Sequence, residues 1–287
     1  SAFYAGMVGR YWLEEIARLP VDIDVASEMR YRNPPLTAGS LGLLISQSGE
    51  TADTLAALRS LREKAIHILS VLNVEHSTMA RESDVLLGTV AGPEISVAST
   101  KAFTAQLTVL ACLTIATARA RGTLDPLGEE ALVAALMDLP SRTAEVFHQG
   151  PAIRQMASIV AEARDVLYLG RGSMFPVAME GALKLKEISY IHAEAYAAGE
   201  MKHGPISLID RTVPIVASVP STPLFDKTLS NLQEAKARGG RLLVVTDTQG
   251  AERVSAIAEQ TVVLPHVHDL AAPILPTIPV QIGRVYR

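Results

Sequence analysis

The chain repeats itself at long range. Ser1-Ala-Phe-Tyr-Ala-Gly-Met7 lines up with Ser173-Met-Phe-Pro-Val-Ala-Met179, Ser27-Glu-Met29 with Gly199-Glu-Met201, and Ser46 with Ser218. Each pair lies 172 positions apart, and the offset then drifts to 174, where Leu69-Ser-Val71 faces Leu243-Val-Val245. Solenoid repeats run to about 20–50 residues, so this period points instead to two tandem copies of one domain. A chain of 287 residues is long enough for both. The first half is expected to end near Pro140–Pro151, with an extra helix bridging the halves there. The expected domains are therefore 1–145 and 146–287.

Within each half, short apolar runs alternate with longer amphipathic stretches. The expected strands of the first half are Val21–Val25, Leu41–Ile45, Ala65–Leu72 and Val85–Thr89, with helices over Tyr4–Arg18, Ala52–Glu63 and Lys101–Arg121. The second half repeats the scheme with strands near Val166–Leu169, Val213–Ala217, Arg241–Val245 and Thr261–Leu264, and helices near Val177–Tyr190 and Leu224–Arg238. Strands that alternate with helices imply an α/β fold with parallel sheets covered on both faces. Ligands in such folds sit beyond the carboxyl ends of the strands.

Composition narrows the function classes. Hydrophobic residues make up 48% and charged residues 20%, which fits a globular protein with ample core. A formal net charge of −4 gives no electrostatic reason to expect nucleic acid or an anionic membrane as partner. Cys112 is the sole cysteine, so neither an internal disulfide nor a cysteine-based metal site is available. The apolar run 107–116 around it is too short and too rich in threonine for a bilayer span, and is expected as a buried core helix. Arg10, Glu14 and Glu15 interrupt the N-terminal apolar residues, unlike a signal peptide, and cytoplasm is the expected compartment.

The densest chemistry of the first half is Leu43-Leu-Ile-Ser-Gln-Ser-Gly-Glu-Thr-Ala-Asp-Thr54. An apolar strand runs into three hydroxyl residues and a glycine, and a helical pattern starts at Ala52. Such a turn presents unpaired N–H groups and the positive end of the helix dipole, which favour an anion. The hydroxyls of Ser46, Ser48 and Thr51 can donate to phosphate oxygens, and Gly49 lets the backbone come close. The loop holds no lysine and lacks P-loop spacing, so one small phosphate ester fits better than a triphosphate. A Ser/Thr-capped helix without a ligand has the same local pattern.

In the second half, Gly170-Arg-Gly-Ser-Met-Phe-Pro-Val-Ala-Met-Glu-Gly-Ala-Leu-Lys-Leu-Lys-Glu187 repeats the strand, turn and helix. On a helical period Glu180, Lys184 and Glu187 share one stripe, while Lys186 points elsewhere. A carboxylate beside an ammonium group keeps the ionised form that a general base needs. The same spacing also describes a solvated Glu–Lys–Glu ladder. Downstream, His203 stands in the turn Glu200-Met-Lys-His-Gly-Pro205, where a histidine can shuttle protons near neutral pH.

Four blocks carry a resemblance: Ser46-Gln-Ser-Gly-Glu-Thr-Ala-Asp-Thr54, Val97-Ala-Ser-Thr-Lys-Ala-Phe103, Glu180 through Tyr196, and Gly199-Glu-Met-Lys-His-Gly-Pro205. Together they resemble the sugar-isomerase (SIS) part of the glucosamine-6-phosphate synthase family, the isomerizing glutamine–fructose-6-phosphate aminotransferases. The resemblance covers nearly the whole chain. It implies two tandem three-layer αβα domains of flavodoxin-like type with parallel sheets. It also implies fructose 6-phosphate and glucosamine 6-phosphate as ligands, a homodimer, and chemistry with no cofactor and no metal. By it, Ser46, Gln47, Ser48 and Thr51 hold the sugar phosphate. Ser1 stands where the family has a hydroxyl that contacts the sugar, and Val97 matches a backbone contact beside it. Glu187 is the implied base that moves a proton between C1 and C2 of the open sugar, and Lys184 stabilises the charge that develops on the enol-like intermediate. His203 is implied in ring opening, reaching in from the second subunit, and Glu180 is a further candidate on the same stripe.

Two parts of the family pattern have no counterpart in these residues. One is the N-terminal glutaminase domain with its terminal cysteine. The other is a C-terminal tail bearing a Schiff-base lysine, since Lys236 is the last lysine here. The expectation is therefore the isomerase portion, with amination at C2 belonging to the intact enzyme. Two other readings stay open at this point. One is a stand-alone SIS-type glucosamine-6-phosphate deaminase or phosphosugar isomerase, and the other is a non-catalytic phosphosugar sensor that needs only the phosphate loop.

Overall fold

The alternation of apolar runs and helices becomes a parallel sheet in each half. The computed structural model describes residues 1–94 and 100–281 and divides the chain into two units, Ser1–Leu124 and Asp125–Arg287. In the first unit the elements are α1 (Ala2–Glu15), α2 (Ala26–Arg32), β1 (Leu41–Ser46), α3 (Ala52–Glu63), β2 (His67–Leu72), α4 (Thr78–Glu82), β3 (Val85–Gly88) and α5 (Lys101–Ala120). The strands lie in the order β1-β2-β3, with Leu41 opposite His67 and Leu69 opposite Val85. Side chains alternate between the faces. Leu44, Ile68 and Leu72 pack with Leu58 of α3 and Met79 of α4, while Ile45 lies against Gly6 of α1.

The expected strand at Val21–Val25 does not form; the chain there is irregular. The internal repeat supplies the reason. Its counterpart in the second unit, 192–197, pairs only with the strand before Met174, and among the described residues the first unit places no strand at the matching position beside 21–25. Among the described residues, 21–25 therefore has no neighbour to bond, whatever its β-branched content.

Helix α5 buries Phe103, Leu107, Leu110, Ala111 and Ile115, although Cys112 itself is exposed. It extends well past the apolar run seen in the sequence. By length and composition it is long enough to cross a membrane, but half of its most apolar window is buried inside the protein.

The second unit holds α6 (Pro126–Phe147), α7 (Gly150–Ala161), β4 (Asp165–Gly170), α8 (Met174–Ser189), β5 (His192–Ala197), β6 (Pro214–Ser218), α9 (Phe225–Ala237), β7 (Arg241–Asp247), α10 (Thr248–Val254), β8 (Gln260–Leu264) and α11 (Ile274–Val280). Two 3₁₀ turns, Ala198–His203 and Pro205–Leu208, follow β5. Pro140, read from the sequence as part of a boundary, lies inside α6. The sheet is entirely parallel in the order β5-β4-β6-β7-β8. Leu167, Leu169, Ile215, Ala217, Leu242 and Val244 form its core with Phe225 and Leu232 of α9 and Val254 of α10. Helices α8 and α11 cover the opposite face. Gly181 permits that packing, because a Cβ there would stand 2.7 Å from Tyr168 Cε1 and 3.1 Å from Val280 Cβ. Each unit is thus a parallel sheet between helical layers, as the sequence led one to expect.

Candidate active site

In the first unit the turn after β1 is built around Gly49. Its φ is +66°, and a Cβ would stand 2.1 Å from Ser77 Oγ, so both conformation and space demand glycine. The backbone of 47–49 is tied to the next strand–helix connection, with Asn73 N–H donating to Gln47 O (3.2 Å) and Met79 N–H to Gly49 O (3.1 Å). Thr78 N–H donates to the Glu50 carboxylate at 2.7 Å, and this bond holds that carboxyl below its ordinary range. Within the turn Ser46 Oγ accepts from Gly49 N–H (3.1 Å) and Ser48 Oγ from Glu50 N–H (3.3 Å). Both hydroxyls keep their own protons to donate. Thr51 is the N-cap of α3 but makes no side-chain capping bond, which leaves the first N–H groups of that helix uncapped by it. Ser1 caps α1 from its carbonyl, which accepts Ala5 N–H at 2.9 Å. Val97 lies outside the described residues.

In the second unit the stripe on α8 is not a solvated ladder. Glu180 is fully buried and Lys184 is 1% exposed, whereas a third of the Glu187 side chain reaches solvent. Lys184 Nζ donates to Glu187 Oε2 at 2.7 Å and stands 3.6 Å from Glu180 Oε1. Lys186 is exposed, on a different face. The helix stops one turn beyond the stripe at Tyr190, in the left-handed conformation with φ +62°, its N–H bonded to Lys186 O. Glu187 therefore sits near the negative end of the helix dipole, where a carboxylate is disfavoured; the adjacent ammonium offsets this. From α11, Gln281 Nε2 donates to Glu180 Oε1 at 3.2 Å. His203 ends the first 3₁₀ turn with its Nδ1 2.7 Å from Glu200 Oε2, and both side chains are largely exposed.

A second polar cluster closes the carboxyl ends of β6 and β7. Asp247, buried at the N-cap of α10, receives Ser221 N–H (2.9 Å), Ser221 Oγ–H (2.6 Å), Gln249 N–H (3.1 Å) and Gly250 N–H (3.0 Å), with His266 Nδ1 at 3.1 Å. Burial pushes this carboxyl up, but the bonds from Ser221, Gly250 and His266 outweigh it, and the net displacement is downward. Among the described residues no group of three or more His, Cys, Asp or Glu is placed to hold a metal ion.

The SIS domain family matches residues 1–116 and 159–281. The chain belongs to the SIS domain family. This SIS chain is 71% identical over 98% of its length to the glutamine–fructose-6-phosphate aminotransferase [isomerizing] of Gluconobacter oxydans, and the match covers 46% of that protein. It thus spans about half the length of the curated relatives it matches. Its fold superposes on the C-terminal domain of glucosamine-fructose-6-phosphate aminotransferase from Francisella tularensis with a TM-score of 0.96 and 44% identity, covering 99% of this chain and 80% of that one. A glucosamine-6-phosphate deaminase from Thermotoga maritima shares the fold at a TM-score of 0.77 and 22% identity, over 98% of this chain and 80% of that chain.

Sequence reading found the α8 stripe by its period but gave Gln281 no role. That residue is 101 positions from Glu180, and no periodicity links them. Asp247 was likewise passed over. The one available signal was its place before a short helix, where aspartate is a favoured cap.

Proposed function

We propose that this chain is the isomerase portion of a glucosamine-6-phosphate synthase, binding fructose 6-phosphate and glucosamine 6-phosphate and interconverting ketose and aldose. The observation that carries the reading is the buried ammonium of Lys184 with a partly exposed carboxylate, Glu187, at 2.7 Å. A carboxylate and a cation so held suit proton transfer next to a carbonyl, in which one group takes the proton and the other faces the charge that appears. Glu187 removes a proton from C1 of the open ketose, the C1–H electron pair forms the C1–C2 double bond, and negative charge moves to O2. Lys184 stabilises that oxygen; the O1–H proton passes to O2, and return of the proton from Glu187 to C2, with the double-bond pair taken up by C2–H and O1 becoming the carbonyl, gives the aldose. The loop 46–51 holds the phosphate through the hydroxyls of Ser46, Ser48 and Thr51, the Gln47 segment and the N-terminus of α3. Ser1 and the backbone at Val97 contact the sugar.

In the intact enzyme ammonia enters at C2, in the cytoplasm, and His203 reaches the sugar of the partner subunit in a homodimer to assist ring opening. The amination in this reading is supported by the similarity to aminotransferases of that name, closer than the similarity to the deaminase, whose 22% identity carries fold alone.

The test follows deuterium at C1 of fructose 6-phosphate and C2 of glucose 6-phosphate by NMR in deuterated water. Wild type should incorporate the label and Glu187→Gln should not. Equal incorporation by both removes Glu187 as the base, and binding without exchange in wild type favours a phosphosugar sensor.

A further inference from the structure

The stripe on α8 has two carboxylates with one ammonium between them, and they differ in a way the proton-transfer scheme leaves unused. Glu187 is partly exposed. Glu180 is fully buried and faces Lys184 from the other side, at 3.6 Å. Its Oε1, the oxygen that faces the ammonium, also accepts the side-chain N–H of Gln281 at 3.2 Å. Gln281 follows the last turn of α11, its backbone N–H bonded to Thr277 O at 3.1 Å, and it is itself buried. Gly181, next to Glu180, gives α11 the room to come this close.

Charge counting shows what the arrangement does. With each group in its ordinary ionised form the stripe carries two negative charges and one positive. When Glu187 takes the substrate proton, Lys184 loses its nearer protein counter-ion while remaining buried, and the other charge it faces is the one that comes and goes on the substrate oxygen. Glu180 is then the carboxylate left to balance it. A neutral amide is a suitable second partner, because it bonds the carboxylate without adding a charge that competes with Lys184.

We propose that Gln281 and Glu180 form a positioning pair that keeps Lys184 charged and aimed at the substrate oxygen while Glu187 is protonated. This rests on the isomerase reading above and extends it to a residue on a different helix. Among the described residues the charged groups facing Lys184 are Glu180 and Glu187 of its own helix, and the end of α11 contributes the neutral Gln281. From the strands under α8, Tyr168 is kept neutral by burial, and Glu194 is engaged by Tyr196 O–H and by His192 at 3.6 Å.

The experiment measures fructose 6-phosphate binding and proton exchange across pH for wild type, Gln281→Met, Glu180→Gln and Glu187→Gln in the 287-residue chain. Gln281→Met should bind within about twofold of wild type yet exchange about tenfold more slowly, the factor set by one hydrogen bond to a charged group. Its exchange should also fall away on the alkaline side at a lower pH than wild type, and Glu180→Gln should move that limb further. Binding and exchange lost together, with an unmoved pH profile, overturn the proposal and make Gln281 a packing residue. If Glu187→Gln exchanges like wild type, or wild type does not exchange at all, the isomerase reading fails instead. The pair is then decided by NMR titration of lysine labelled at Cε. A Lys184 signal that loses its proton at lower pH in Gln281→Met upholds the charge-holding role, and an unchanged titration overturns it.

Discussion

At equivalent strand ends the two units make opposite use of the same turn. Ser46 closes β1 and Ser218 closes β6, one repeat apart; Asn73 follows β2 where Asp247 ends β7, at the drifted offset of 174. In the second unit a carboxylate gathers Ser221, Gln249, Gly250 and His266 around itself, so the donors at that strand end already face an internal anion. In the first unit the corresponding side chain is a neutral amide. Asn73 accepts from Thr89 Oγ1 and Ala91 N–H and donates to Gly92 O, and the carboxylate of the turn 46–51 itself, Glu50, is taken up by Thr78 N–H. A phosphate approaching the first unit meets uncapped N–H groups, whereas one approaching the second meets Asp247.

The sharpest way to break that contrast is Gly49→Ala. The left-handed backbone costs a non-glycine residue about 1–3 kcal/mol, and the new methyl collides with Ser77. Loss of sugar-phosphate binding with a lowered unfolding midpoint is expected, and unchanged binding would show that the turn geometry is incidental. Next in size, Asp247→Ala strands several buried donors and removes a helix cap, for an expected loss of about 2–4 kcal/mol by denaturant titration.

The pH dependence sharpens the same point. The folded Asp247 carboxyl titrates below its unfolded value of about 3.9, so its contribution is fully present above that pH and is lost as pH falls through the folded value. Asp247→Asn should therefore flatten the acid limb of the stability curve relative to wild type; an identical limb in both proteins contradicts the hydrogen-bonded carboxylate. A smaller effect tests the charge argument directly. Asn73→Asp should weaken fructose 6-phosphate binding about tenfold at low salt and less at high salt, while Asp247→Asn leaves affinity unchanged.

Much of the fold was legible because strand–helix alternation is a local signal. Helix α3 was read to the residue, and β1, β2, β6 and β7 to within two. The failures were non-local. Val21–Val25, rich in β-branched residues, is not a strand, whereas the alanine-rich β5 is one because β4 offers it a full register from Asp165–His192 to Gly170–Ala197. The α8 stripe was visible by its period, but its burial was not, since three charged residues read equally as a solvent face. The bond from Gln281 to Glu180 joins two helices across 101 positions, beyond the reach of any local pattern.

The central claim is that one sugar phosphate binds per chain, at the first unit's turn. Calorimetric titration with fructose 6-phosphate tests it most directly, using wild type, the double variant Ser48→Ala/Thr51→Val, and Ser221→Ala. A stoichiometry of one, abolished by the double variant and untouched by Ser221→Ala, is the expected result. Two sites per chain, or a single site that survives the double variant, would contradict the account.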